Sequence, residues 1–125
     1  MNEKAGRIGR GLLFAMVLAF SAQSHATGAI AIDSAKGSRW GVAYDHPNMA
    51  SAERAALGKC GAGCKVVLRF PKGCGAYAVD RAQGSTIYSW AGDGNRAGAE
   101  RQALAGCRNR GGRQCTIRAW GCNSR

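Results

Sequence analysis

The chain has 125 residues, a formal net charge of +11 and six cysteines. This length fits one domain, and the positive charge favours anionic surfaces or polymers as partners. An even number of cysteines in so short a chain is typical of a disulfide framework outside the reducing cytoplasm.

The first 26 residues have the pattern of a secretory signal peptide. Three basic residues precede the apolar run GLLFAMVLAF at residues 11–20, which is too short to span a bilayer. Small residues at 24 and 26 favour cleavage after Ala26. We therefore expect an exported domain of residues 27–125, periplasmic or secreted, with no transmembrane segment. The first 26 residues carry three basic residues and one acidic residue, so the mature chain has a net charge of +9.

The mature chain contains an internal repeat. Between Gly28 and Cys60, 15 of 33 positions are identical to those found 47 residues further along, without a gap. Two copies are too few for a solenoid. We therefore expect a single domain made of two repeats, about residues 28–74 and 75–122.

The first repeat predicts the order strand, strand, helix, strand. Apolar and β-branched residues predict strands over 29–33 and 39–44. Asn48 is placed to cap a helix over Met49–Cys60, which the glycines that follow bring to an end. The segment KVVLRF, residues 65–70, predicts the third strand.

The second repeat predicts the same elements, with strands over 76–79 and 86–90, a helix over 96–108 and a strand over 115–120. The expected fold class is α+β. It consists of two tandem ββαβ units with pseudo-two-fold symmetry and antiparallel strands. Two short, alanine-rich helices are expected to pack on one face of these strands.

Six cysteines permit 15 disulfide pairings, and sequence alone does not choose among them. The repeat favours three pairs: Cys60 with Cys64, Cys107 with Cys115, and Cys74 with Cys122. The first two would clamp the end of a helix, and the third would join the two units. A zinc site is the competing interpretation, but the cysteine spacing and the expected compartment disfavour it. We expect no metal and no cofactor.

The stretches GAIAID, AERAALGKC, CKVVLRF and IRAWGCNS resemble a bacterial family known as domain of unknown function 4189. The resemblance covers the mature chain from Gly28 to Ser124. It implies a small exported domain with cysteines and with helices on β-strands. It implies no established activity and no catalytic residues.

The candidate catalytic groups are few. Asp33 and Asp80 are equivalent in the repeat, as are Glu53 and Glu100, and such paired carboxylates suit glycosidic acid/base chemistry. Duplication of a structural unit also explains them, since aspartate favours turns and glutamate favours the first half of a helix. His46 precedes a proline in a turn and has no evident catalytic partner. We therefore expect no enzyme, with a small hydrolase as the least favoured alternative.

The basic residues are the remaining candidates for a functional site. A candidate site for an anion or another partner lies near the C-terminus, at Arg108, Arg110, Arg113, Arg118 and Trp120. We expect a non-enzymatic binding module whose partner is a protein, such as a secreted enzyme that it inhibits. The alternative is an anionic polymer or membrane surface bound through the arginines. Export leaves no role for cytoplasmic nucleic acid.

Overall fold

The computed structural model describes residues 26–124, so residues 1–25 of the predicted signal peptide 1–26 lie outside the described residues. The chain forms six strands and two helices: β1 (Thr27–Asp33), β2 (Trp40–His46), α1 (Met49–Cys60), β3 (Cys64–Phe70), β4 (Cys74–Asp80), β5 (Tyr88–Asp93), α2 (Arg96–Asn109) and β6 (Cys115–Cys122). Within residues 26–124, neither helix has the length and apolar character needed to cross a membrane.

The strands form two antiparallel sheets of three strands each. The first has the order β2-β1-β3 and the second the order β5-β4-β6. Each sheet is therefore built from one half of the chain, with the first strand of that half at its centre. The predicted α+β class is confirmed, and both halves run strand, strand, helix, strand.

Small and large side chains alternate along the central strand β1. Ala29 and Ala31 pack beneath α1, whereas Ile30 and Ile32 belong to a separate apolar cluster. Successive side chains of a strand point to opposite faces, so one face of the sheet carries small side chains and the other carries large ones. The face with small side chains lets α1 approach the sheet closely. All seven residues of β1 are buried.

The central strand β4 follows the same rule. Ala76 and Ala78 pack beneath α2, while Tyr77 and Val79 meet the isoleucines of β1. The two sheets therefore face each other across a core of large residues, with one helix on each outer face. The expectation that both helices share one face is wrong. Each helix lies on its own sheet because the large residues of β1 and β4 must be buried against each other.

Both helices begin at the predicted caps. The Asn48 side chain accepts a hydrogen bond from the Ser51 amide at 2.8 Å, and Asn95 accepts one from the Gly98 amide at 2.8 Å. These bonds satisfy amides of the first turn that have no partner within the helix. α1 is followed by Gly61, whose φ of 101° suits glycine.

Three disulfides are present: Cys60–Cys64, Cys107–Cys115 and Cys74–Cys122. They are the pairs that the repeat favours. The first two connect each helix to the strand that follows it. Cys74 and Cys122 lie opposite each other on β4 and β6. This third link therefore closes the second sheet and does not join the two halves, since β4 already belongs to the second half.

Strand pairing shows that the correspondence between the two halves shifts by one residue at β2 and β5. Trp40 lies opposite Ile32 in the first sheet, and Tyr88 lies opposite Val79 in the second. Trp40 therefore corresponds to Tyr88, one position later than the ungapped repeat predicts. The second hairpin loop has an extra residue, and β2 compensates at its bulge near Asp45, which has a φ of 61°. With this offset, Ala43 corresponds to Ala91, an identity that the ungapped repeat does not show.

The end of the chain fastens β6 to the first half. Asn123 accepts a hydrogen bond from the Asp45 amide at 2.8 Å and donates one to the Phe70 carbonyl at 3.1 Å. The Ser124 amide donates to the Asp45 carboxylate at 2.7 Å. We call Asn123 and Ser124 the C-terminal clasp. It holds the last strand at a fixed position relative to β2 and β3.

Candidate functional site

The equivalent acids Asp33 and Asp80 are buried at the ends of β1 and β4, where each organises a loop. Asp33 accepts from the Ala35 amide at 3.0 Å. Asp80 accepts from the Gln114 amide at 2.8 Å. The Ala35 amide holds the pKa of Asp33 below its usual value, and the Ser85 hydroxyl and Gln114 amide do the same for Asp80. Carboxylates stabilised in their charged form are poor general acids.

The helix glutamates are engaged with arginines. Glu53 pairs with Arg69 of β3, and Glu100 pairs with Arg96 at 2.7 Å, four residues earlier on α2. His46 shares a hydrogen bond with Ser51 at 2.7 Å, next to the start of α1. Each of these groups has a partner with a structural role.

Tyr77 lies at the centre of the core and has no exposed surface. Its hydroxyl donates to the Gly37 carbonyl. Burial raises the pKa of Tyr77 to about 12, although the positive charge of Arg118 acts in the opposite direction. This hydroxyl therefore stays protonated at neutral pH and supplies no base.

The structure divides the predicted basic cluster into two groups. Arg108, Arg110 and Arg113 are exposed at the end of α2 and in the loop that follows it. Arg118 and Trp120 lie on β6. Arg110 donates to the Tyr88 carbonyl at 3.1 Å, so it lies beside β5, the strand on the other side of β4. The fifth arginine of this region, Arg125, lies outside the described residues.

Arg118 and Trp120 line an open groove between the edge strands of the two sheets. We call it the β2–β6 groove, and its volume is about 490 Å³. It is lined by residues of β2, α1 and β6: Trp40, Gly41, Val42, Tyr44, Lys59, Arg118, Ala119 and Trp120. Tyr44 and Trp120 are the large apolar side chains with the greatest exposure in residues 26–124, at 48% and 42%.

Cations are stacked on two of the aromatic rings of this groove. The Arg96 guanidinium lies 3.6 Å from the centre of the Trp120 ring, and that of Arg118 lies 5.0 Å from the centre of the Trp40 ring. Such contacts hold an exposed ring in one orientation and keep positive charge beside it. No carboxylate lines the groove among the described residues. The groove is therefore a positively charged site lined by the faces of aromatic rings.

The groove exists because β6 carries small residues where β3 carries large ones. Pairing with the central strands makes Leu68 correspond to Ala119, and Phe70 correspond to Gly121. At the opposite edge of the molecule, Leu68 and Phe70 fill the space between β3 and the second sheet, where both contact Gly75. At the groove, an added Cβ on Gly121 would approach Tyr44 to 2.7 Å, so the ring of Tyr44 takes part of that space.

Arg118 stands at a bulge in β6. The pairing of β4 with β6 shifts between Tyr77 and Ala78, which leaves Arg118 without an opposite residue. Val67 has the corresponding place in β3, where the pairing with β1 shifts in the same way, and it packs against the core between the sheets. Bulges redirect side chains at sheet edges. Arg118 uses this position to reach Trp40 and a second, smaller pocket of about 140 Å³.

Sequence reasoning placed Arg118 and Trp120 in a candidate site but missed Trp40, Tyr44 and Lys59. Trp40 has no aromatic counterpart in the ungapped repeat because the correspondence there is offset by one residue, and Tyr44 corresponds to a small residue of β5 in either alignment. A signal was nevertheless present in the last strand of each repeat, where LRF is replaced by AWG. The exchange of large for small residues at a sheet edge indicates an opening. Within residues 26–124 no cluster of three potential metal ligands occurs.

The family model named Domain of unknown function (DUF4189) matches residues 27–122 of the chain. No curated protein and no solved structure was found to match it significantly. The match covers all six strands, both helices and all three disulfides. The chain belongs to the family Domain of unknown function (DUF4189).

Proposed function

We propose that this protein is a non-enzymatic binding module that acts outside the cytoplasm and binds an anionic ligand in the β2–β6 groove. Its two halves derive from one duplicated ββαβ unit and are related by approximate two-fold symmetry. The observation that carries the proposal is the combination of three aromatic residues, Trp40, Tyr44 and Trp120, with Lys59 and Arg118 in one open groove.

The arrangement suits binding because contacts within the fold hold its parts in place. The Cys74–Cys122 disulfide and the C-terminal clasp hold β6, and Arg96 covers one face of Trp120. A rigid site loses less conformational entropy when it binds than a flexible one. Lys59 donates to the Val42 carbonyl at 2.9 Å, which fixes its ammonium group at the wall of the groove.

The candidate acids favour binding over catalysis. Asp33 and Asp80 are bound to loop amides, and both glutamates are paired with arginines. None of these four residues lines the β2–β6 groove. A hydrolase would require a carboxylate within hydrogen-bonding reach of the substrate.

The second candidate site is the basic end of α2, with Arg108, Arg110 and Arg113. Chromatography on heparin resin separates the two sites. Arg118→Ala removes one charge from the groove, whereas the triple alanine variant of the helix end removes three charges elsewhere. We expect Arg118→Ala to elute at lower salt than the triple variant, because a specific contact outweighs general attraction, which salt screens. Earlier elution of the triple variant would move the binding site to the end of α2.

A further inference from the structure

We infer that the ligand of the β2–β6 groove is a linear acidic polysaccharide, whose sugar rings stack on Trp120 and Tyr44 and whose carboxylates bind Arg118. This inference rests on the proposed function and names its ligand class.

The groove offers few unpaired charges beside its rings. Its lining has three aromatic side chains and two cations, and the third cation, Arg96 on Trp120, is already paired with Glu100. Lys59 already donates to the Val42 carbonyl, whereas Arg118 has no acidic partner among the described residues. A single-stranded nucleic acid has a phosphate at every nucleotide and is bound by a groove with dense positive charge. Few charges beside several rings fit a polymer with sparser carboxylates.

The side chains of the groove match the chemistry of an acidic sugar. The planar fork of an arginine matches a carboxylate with two parallel hydrogen bonds. Exposed tryptophan and tyrosine rings offer a flat apolar surface with a polar edge. A sugar ring also has an apolar face of C–H groups and a polar rim. Trp120 and Tyr44, both about half exposed, are suited to such a ring.

The groove is wide open and lies between two edge strands, so an extended polymer can pass along it. A peptide could bind by adding a strand to β2. However, the Val42 carbonyl already accepts from Lys59, and the Asp45 amide already donates to Asn123. These bonds occupy polar groups that an added strand would use.

The test is isothermal titration of the oxidised protein with polygalacturonate at about 0.15 M salt, where general attraction is screened beyond about 8 Å. The matched neutral polymer is the fully methyl-esterified form of the same chain. We expect Arg118→Ala and Trp120→Ala each to weaken the binding of polygalacturonate by at least about tenfold. Esterification of the polymer is expected to cause a similar loss. Arg101→Ala, which removes an exposed arginine of α2 that does not line the groove, should change affinity by less than about twofold.

Three further outcomes decide between the inference and the proposed function. A single-stranded oligonucleotide that binds more tightly than polygalacturonate, and loses affinity with Arg118→Ala, would overturn the polysaccharide while keeping the groove. Vesicles rich in phosphatidylglycerol that behave in this way would have the same meaning. If no anionic probe depends on Arg118 or Trp120, while circular dichroism shows both variants to be folded, the proposed function itself is overturned.

Discussion

The two sheets meet at two opposite edges, β3 against β5 and β2 against β6, and corresponding strands form both edges. At the first edge, Leu68 and Phe70 fill the space between the sheets. At the second edge, Ala119 and Gly121 occupy the corresponding positions of β6, and an open groove remains. We call these the filled edge and the open edge.

The difference between the edges shows that corresponding strands need not pack in the same way. One edge has large apolar residues, which stabilise the face-to-face packing of the sheets. The other edge lacks that packing, and Tyr44 and Trp120 are left exposed there. The second half also has an additional disulfide, Cys74–Cys122, whose corresponding positions in the first half are Thr27 and Pro71. The open edge is thus reinforced covalently where it lacks apolar filling.

The largest expected effect is on the filled edge. Phe70 is only 3% exposed, so Phe70→Ala should lower the free energy of unfolding by about 3–5 kcal/mol. Trp120→Ala on the open edge should lower it by only about 1 kcal/mol, because the ring is already half exposed. Denaturant unfolding with the disulfides intact measures both values. Equal losses for the two variants would contradict the assignment of filled and open edges.

The next effect separates the disulfides. On the loop-entropy model, removing Cys74–Cys122, with a sequence separation of 48, should cost about 4 kcal/mol of unfolding free energy. Removing Cys60–Cys64, with a separation of 4, should cost about 2 kcal/mol. Paired alanine variants and thermal unfolding provide the comparison. Only the first variant should also weaken binding of an acidic polymer, because it frees β6. A greater loss of binding in the Cys60–Cys64 variant would place the ligand elsewhere.

A larger side chain at position 119 should fill the groove and change the free energy of unfolding only slightly. Ala119→Leu gives β6 the residue that β3 carries at Leu68, and Ala119 lines the groove. We expect the affinity for an acidic polymer to fall at least about tenfold, while the free energy of unfolding changes by less than about 1 kcal/mol. The control is Thr116→Leu on the same strand, away from the groove lining. Undiminished binding by Ala119→Leu would show that the ligand does not enter the groove.

The smallest effect concerns a feature that both halves share. The pKa values of Asp33 and Asp80 are lowered in the folded protein, so their ionised forms stabilise it. This contribution is fully present above the unfolded value of 3.8 and is lost as the pH falls through the lower folded values. The melting temperature should therefore fall between about pH 5 and about pH 2. The Asp33→Asn and Asp80→Asn variants should each reduce this pH dependence to a similar extent. A flat profile for the unmodified protein would contradict this role.

Local patterns predicted the elements well, because each one depends on nearby residues. Asn48 and Asn95 cap the helices, and the glycines after Cys60 end the first of them. The pairing of the cysteines also followed from the repeat. The sheets were harder to predict, since alternation within β1 shows that both faces are apolar but not what covers each face. The packing shows that the alanines of β1 face α1 and that its isoleucines face the opposite sheet.

The site was only half predictable for a related reason. Arg118 and Trp120 are two residues apart in sequence, so a search for clustered charge finds them together. Trp40 and Tyr44 reach the same groove from a strand more than 70 residues earlier, through the packing of one sheet on the other. The offset in β2 also concealed the correspondence of Trp40 with Tyr88 of β5. Contacts between distant edges depend on tertiary structure, which no local pattern encodes.

The position of β6 has a consequence for the timing of folding. Proteins are synthesised from the N-terminus, and their earlier segments can fold first. The strands of the first sheet have all been made at Phe70, but Ile30 and Ile32 are buried only when Tyr77 and Val79 of β4 pack against them. Within residues 26–124, β6 and the C-terminal clasp are made last. The β2–β6 groove therefore forms only after both helices and the other five strands have been synthesised.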